Sequence, residues 1–199
     1  MGLEFVFDNG QTPLNEEEKE GLLIKSITTQ GELDEHEQLN IEKAVQWIMG
    51  LKLKKDRILT EDFIKALHKQ MLGKVWRWAG EFRRSEKNIG VKWINISIAL
   101  RTLLDDTNFW IENETFPPDE IAICFKHRLV NIHCFPNGNG RHSRIMADII
   151  IESIFEKNIF PWNNSNMVKA NETRAEYIRS IREADKGNIE HLIDFARTS

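Results

Sequence analysis

The stretch His133-Cys134-Phe135-Pro136-Asn137-Gly138-Asn139-Gly140-Arg141-His142-Ser143-Arg144 decides how this chain is read. It sets a titratable base, a glycine-flanked turn and two arginines in one short run. Gly138 and Gly140 have no side chain to block a ligand, and Ile145, Met146, Ile149 and Ile150 recur behind them at helical spacing. The turn is therefore expected to open a helix. The first N–H groups of a helix lack intrahelical partners and sit at the positive end of its dipole, so a glycine-lined entry exposes a cradle for an anion. Arg141 and Arg144 fall on one face of that first turn, and each guanidinium can fork two donors onto phosphate oxygens. His133 closes the preceding apolar segment. An imidazole titrates near neutrality and can take a proton from a hydroxyl. Phe135 is expected to anchor the loop in the core.

Outward from this turn the pattern is helical almost throughout, without repeat, low-complexity stretch or Pro/Gly/Ser-rich linker. A short acidic helix is expected from Asn15 through Leu23, with its acids at the favourable end. Thr28 or Thr29 can cap a longer helix running to about Lys54, striped by Ile41, Ala44, Val45 and Ile48. Thr60 can cap another through Phe63, Ile64, Leu67 and Met71. Further helices are expected from about Ser97 to Asn113, Pro118 to His133, Gly140 to Lys157, Thr173 to Asp185 and Asn188 to Arg197. Between Trp78 and Asn95 the pattern breaks into short segments around Gly80 and Gly90. The alternation of Ile89, Val91 and Trp93 predicts a small β-hairpin. The fold class expected is all-α with that one hairpin.

Composition limits the function. The 199 residues fit one domain with a real core, and 41% hydrophobic with 29% charged residues is a globular balance. A net charge of -4 gives no support to a direct nucleic-acid partner. The N-terminus shows no charged region followed by a long apolar stretch, and Met1 to Val6 lacks the Ser or Thr of a myristoylation signal. A cytoplasmic protein without a membrane anchor is expected. Cys124, His127, His133, Cys134 and His142 could in principle hold zinc, but their spacing matches no usual pairing and zinc has no need of two arginines. Cys124 and His127 are expected to pack inside, His142 to be an exposed helix residue, and His68 a satisfied polar group.

A lone Gly-Asn-Gly is a weak sign of phosphate binding; the whole string is a stronger one. It resembles the signature of the Fic family: HxF, any residue, an acid, GNGR, two further residues and Arg. The resemblance implies that His133 is the general base, that Gly138, Asn139 and Gly140 cradle the nucleotide phosphates, and that Arg141 and Arg144 hold the outer ones. The reaction implied moves AMP from ATP onto a Ser, Thr or Tyr hydroxyl of a target protein, with magnesium or manganese. Asn137 departs from the pattern. It stands where the family has an acidic metal ligand, and is expected to lie at the nucleotide with its amide oxygen still able to ligate the metal; that oxygen brings no charge, so metal affinity should drop. In that family an all-helical core carries a hairpin, the flap, to which Asn88-Ile89-Gly90-Val91 is similar, and which is expected to dock the target.

Asn137 within Asn-Gly-Asn-Gly-Arg, Thr12-Pro13-Leu14, and Ile27 to Leu33 resemble the subgroup called mobile mystery protein B, which is bacterial and often accompanied by a small helix-turn-helix partner. The resemblance divides the chain into an N-terminal helical segment, 1–55, packed on a Fic domain, 56–199. Many relatives inhibit themselves with a glutamate set against the second motif arginine, here Arg144. Glu20 and Glu37 are the candidates, neither with a complete inhibitory motif. Two other readings remain open: a nucleotide-binding regulator or toxin–antitoxin-like protein whose chemistry Asn137 has weakened, and a Doc-like phosphotransferase.

Overall fold

Two threonines and an asparagine set where the N-terminal helices begin. In the computed structural model, which describes residues 13–162 and 170–198, Asn15 caps α1 (Glu16–Glu20) and Thr29 caps α2 (Gln30–Met49). Both are reciprocal capping boxes: the cap side chain accepts the third backbone N–H, and Glu18 or Glu32 reaches back to the cap N–H. Thr60 caps α4 (Glu61–Leu72) after the short α3 (Lys55–Ile58). The segment through Thr12, and with it the reading of Met1 to Val6, lies outside the described residues.

The rest is helical as well. A single 3-10 turn (Trp93–Asn95) leads into α5 (Ile96–Glu112), followed by α6 (Pro118–Ile132), α7 (Asn139–Ser153), α8 (Ala170–Asp185) and α9 (Glu190–Arg197). The fold is all-α among the described residues. The core runs between α4, α5, α6 and α7, where Ile64, Leu67, Leu100, Leu103, Phe125 and Ile150 are fully buried. Each such side chain stabilises the fold by about 1.5–3 kcal/mol. α6 and α7 lie side by side, so the turn joining them is held from both ends. α2 packs on α4 through Leu33, Ile41 and Ala44, and Asn40 pins it there, accepting from the Lys74 N–H and donating to the Gln70 carbonyl.

The predicted hairpin does not form. Among the described residues the β-type pairing is one isolated bridge, Leu22 with Trp76. The segment from Arg83 to Val91 pairs with the end of α6 instead of with itself: the Arg83 N–H donates to the Cys134 carbonyl (2.9 Å) and the Val91 N–H to that of Ile132 (3.3 Å). The Val91 carbonyl is taken by the Arg83 side chain. With its backbone groups committed elsewhere, the loop has no second strand to make. Helix α2 likewise stops at Met49 and Gly50, short of Lys54.

Candidate active site

The turn between α6 and α7 is built by its own side chains. α6 ends at His133, whose backbone is left-handed (φ 56°, ψ 60°). Asn139 then clamps the loop: its Oδ1 accepts the Phe135 N–H (2.9 Å) and its Nδ2 donates to the Phe135 carbonyl (2.8 Å). Phe135 is fully buried, as expected, and stacks on His68 with ring centroids 3.7 Å apart. His68 Nδ1 accepts the Gly80 N–H (3.0 Å), which leaves Nε2 to donate to the Asn137 carbonyl (3.0 Å). His68 is thus satisfied and neutral, its pKa pushed well down by burial. His142 corrects the sequence reading. It is 1% exposed, with Nε2 against the Ile64 carbonyl (3.0 Å), because the first turn of α7 dips into the core.

Gly138 is required where it stands. Its φ is 79°, and a Cβ there would lie 2.6 Å from Leu72 Cδ1 and 3.2 Å from His68 Nε2. Gly138→Ala is expected to destabilise the protein by about 1–3 kcal/mol, read as a lower urea midpoint. At Gly140 a Cβ would meet nothing within 4 Å, so no neighbouring side chain crowds that position.

His133 stands at the start of this turn, with both ring nitrogens shielded from solvent. It is 4% exposed, and among the described residues neither ring nitrogen has a hydrogen-bond partner. Burial first, then the Arg83 and Lys87 charges, push its pKa down to about 4. Its ring is therefore neutral at pH 7 and free to accept a proton.

The same shift couples stability to pH. His133 and His142 take a proton at about 4 when folded and at 6.5 when unfolded, so between those values the unfolded chain binds more protons. Stability is full above pH 6.5 and is lost as pH falls toward 4, by on the order of 3 kcal/mol per histidine. Asp148 acts the other way. Burial raises its pKa to about 6, so its contribution is lost as pH rises from 3.8 through 6. Two histidines outweigh one aspartate, and urea unfolding at pH 5 should show a lower midpoint than at pH 7.5.

The two arginines of the turn diverge, where the sequence reading set them on one face. Arg141 Nη2 donates to Glu37 Oε2 (2.6 Å), and the other Glu37 oxygen accepts from Trp76 Nε1 (2.6 Å). Arg144 turns toward α8, its guanidinium 4.2 Å above the Tyr177 ring and 5.8 Å from that of Trp162. Glu37 is therefore against the first motif arginine, and not against Arg144. Glu20 is exposed and makes no ion pair among the described residues. Its neighbour Glu18 is the buried carboxylate of α1, bonded to Ser85 Oγ (2.8 Å) and Lys87 Nζ.

The turn does not fit a metal held by the protein. It contains no carboxylate, Asn137 Oδ1 accepts the Gly138 N–H (2.5 Å), and no group of three His, Cys, Asp or Glu among the described residues could hold an ion. Burial raises the Cys124 thiol to about 11 and that of Cys134 to about 12, so neither is a ready thiolate. Sequence reasoning missed Glu18, Lys87 and Tyr177. Their partners lie 51 to 69 residues away along the chain, beyond any local pattern.

Residues 58–151, from α3 to the last turn of α7, match the family described as Fic/DOC. That match takes in a little under half of the chain. The chain is 27% identical over 169 residues to the protein adenylyltransferase Fic of Drosophila sechellia, covering 82% of this chain and 32% of that protein. It is 30% identical over 124 residues to that of Aedes aegypti, covering 60% and 25%. The chain spans about a third or less of the length of these curated relatives. In fold, it is similar to Fic-1 (aa134–508) from C. elegans, with TM-score 0.68, 22% identity, and 90% of this chain and 51% of that one covered. BepC from Bartonella tribocorum, solved with bound AMPPNP, aligns at TM-score 0.67 and 15% identity over 92% of this chain and 97% of its own. The helical fold is thus that of Fic proteins. No described helix is long and apolar enough to cross a membrane.

Proposed function

We propose that this chain is a protein adenylyltransferase, moving AMP from ATP to a Ser, Thr or Tyr hydroxyl of a target protein. The observation that carries the reading is His133: a buried, neutral imidazole with neither ring nitrogen in a hydrogen bond among the described residues, immediately before the turn that opens α7. The target hydroxyl gives its proton to His133 while its oxygen bonds to the α-phosphorus. The bond from that phosphorus to the bridging oxygen breaks, and pyrophosphate leaves. The amides at the start of α7 hold the phosphates, that of Gly138 exchanging Asn137 Oδ1 for a phosphate oxygen, and Arg141 and Arg144 neutralise the outer ones once they leave Glu37 and Tyr177. Two arginines in a first helical turn are unfavourably placed against the dipole, and a bound triphosphate relieves that. A divalent ion supplies charge neutralisation when it arrives on the nucleotide.

The N-terminal segment, 1–55, belongs to this reading as a regulator of the 56–199 unit, because Glu37 occupies the Arg141 fork that a phosphate would take. The loop Asn88 to Val91 passes against His133 at Gly90, which supports its reading as the segment that docks the target. Membership of the mobile mystery protein B subgroup rests on the resemblance of the Asn137-Gly138-Asn139-Gly140-Arg141, Thr12-Pro13-Leu14 and Ile27 to Leu33 strings, and a bacterial cytoplasmic setting and a helix-turn-helix partner are what that membership would imply. A second reading, a nucleotide-binding regulator without turnover, is favoured by the neutral Asn137.

The deciding experiment offers α-labelled and γ-labelled ATP, with magnesium or manganese, to host-cell lysate and the wild-type chain. Label from the α position on protein is expected. Label from the γ position alone would mean phosphate transfer. No label under either metal, with ATP binding intact, would overturn the transferase reading and leave the regulator.

A further inference from the structure

Arg83 is 2% exposed and its guanidinium is fully buried, yet the closest carboxylate is Glu86, 4.0 Å away and mostly in solvent. A buried cation without a close counter-charge is costly unless its donors are satisfied. These are satisfied by carbonyls. Nε donates to the His133 carbonyl (2.6 Å), Nη1 to that of Ser85 (2.8 Å), and Nη2 to Val91 and, more weakly, Ile132 (3.5 Å). Two of the four belong to the C-terminal end of α6, where carbonyls lack helical partners and a cation is favoured. The other two belong to the loop beside the base.

A simple cap would need only the first pair. The forked geometry spans both, and it does so where the contact is tightest: a Cβ on Gly90 would lie 2.6 Å from His133 Cβ and 2.8 Å from Arg83 Nη2. The left-handed backbone of His133, which costs a non-glycine residue about 1–2 kcal/mol, is held by the same bond. We propose that Arg83 is a positioning residue, whose guanidinium ties the left-handed end of α6 to the 85–91 loop so that His133 and the target-receiving loop keep one register. For its catalytic meaning this rests on the adenylyltransferase reading; the brace itself does not. Arg83 and Lys87 are the cations facing the imidazole, Lys87 being paired with Glu18.

The test uses the full chain with Arg83→Lys and Arg83→Met, and reads hydrogen exchange at the Val91 amide and the His133 ring pKa by NMR. A lysine keeps the charge but cannot reach loop and helix end together. Arg83→Lys is expected to speed Val91 exchange by about tenfold or more relative to the α7 amides, with the His133 pKa still low. Arg83→Met should speed exchange as much and also raise that pKa in part, burial keeping it below the ordinary histidine value. Val91 exchange within about twofold of wild type in folded Arg83→Lys overturns the proposal, whether or not Arg83→Met folds. Neither readout uses ATP, so failed transfer with both shifts present overturns the function reading alone. Where transfer is measurable, Arg83→Lys should lower kcat and leave the KM for ATP unchanged; a rise in KM alone counts against positioning.

Discussion

His133→Ala is expected to lower kcat for AMP transfer by about 10²–10⁴-fold while ATP binding persists, because only the proton acceptor is removed. The α7 amides, Arg141 and Arg144 remain to hold the phosphates. Equal loss of ATP affinity would instead mean that the histidine shapes the nucleotide site, and would sink its role as base. The pH profile adds a second, independent reading. In the free protein His133 titrates at about 4, held down by burial and by two cations. Binding a triphosphate brings negative charge beside it, which favours the imidazolium and must raise that pKa. The acid limb of kcat/KM reports the free protein and should fall near pH 4, whereas the limb of kcat reports the complex and should lie at higher pH. Coincident limbs would mean that the bound phosphates do not lie near the ring.

How much of this was legible in the sequence follows from the range of the forces involved. Caps and helix starts act over three or four residues, so Thr29 and Thr60 announced α2 and α4. The turn that opens α7 was legible for the same reason: His133, the glycines and the arginines are contiguous. The hairpin was misread because alternation describes side chains, while the fate of the loop was settled by backbone groups. Arg83, buried beneath it, competes for carbonyls that a hairpin would have used. The direction of the arginines was not legible either. It depends on Glu37 and Tyr177, residues brought from α2 and α8 by packing. His142 was read as exposed because its neighbours are polar; the core beneath α7 is supplied by α4 through Ile64.

Glu37 gives the second large effect, and two substitutions separate its two roles. The carboxylate bonds Arg141 through one oxygen and Trp76 through the other, so it both occupies the fork that the proposed reaction assigns to a phosphate and joins α2 to the loop after α4. A charge-assisted hydrogen bond contributes about 1.5–3 kcal/mol, and Arg141 is partly exposed, so solvent screening brings the expected gain for a competing phosphate to about 1–2 kcal/mol. Glu37→Gln keeps an acceptor for Trp76 while removing the charge. It should tighten ATP binding roughly 5–30-fold with little change in unfolding midpoint. Glu37→Gly should tighten ATP similarly, yet lower the midpoint, since Trp76 loses this acceptor and α2 gains a glycine. If calorimetric titration finds ATP affinity unchanged in both variants, Glu37 is a structural tie and not an inhibitor. If only the glycine variant binds tighter, release of α2, and not loss of the charge, is what opens the site.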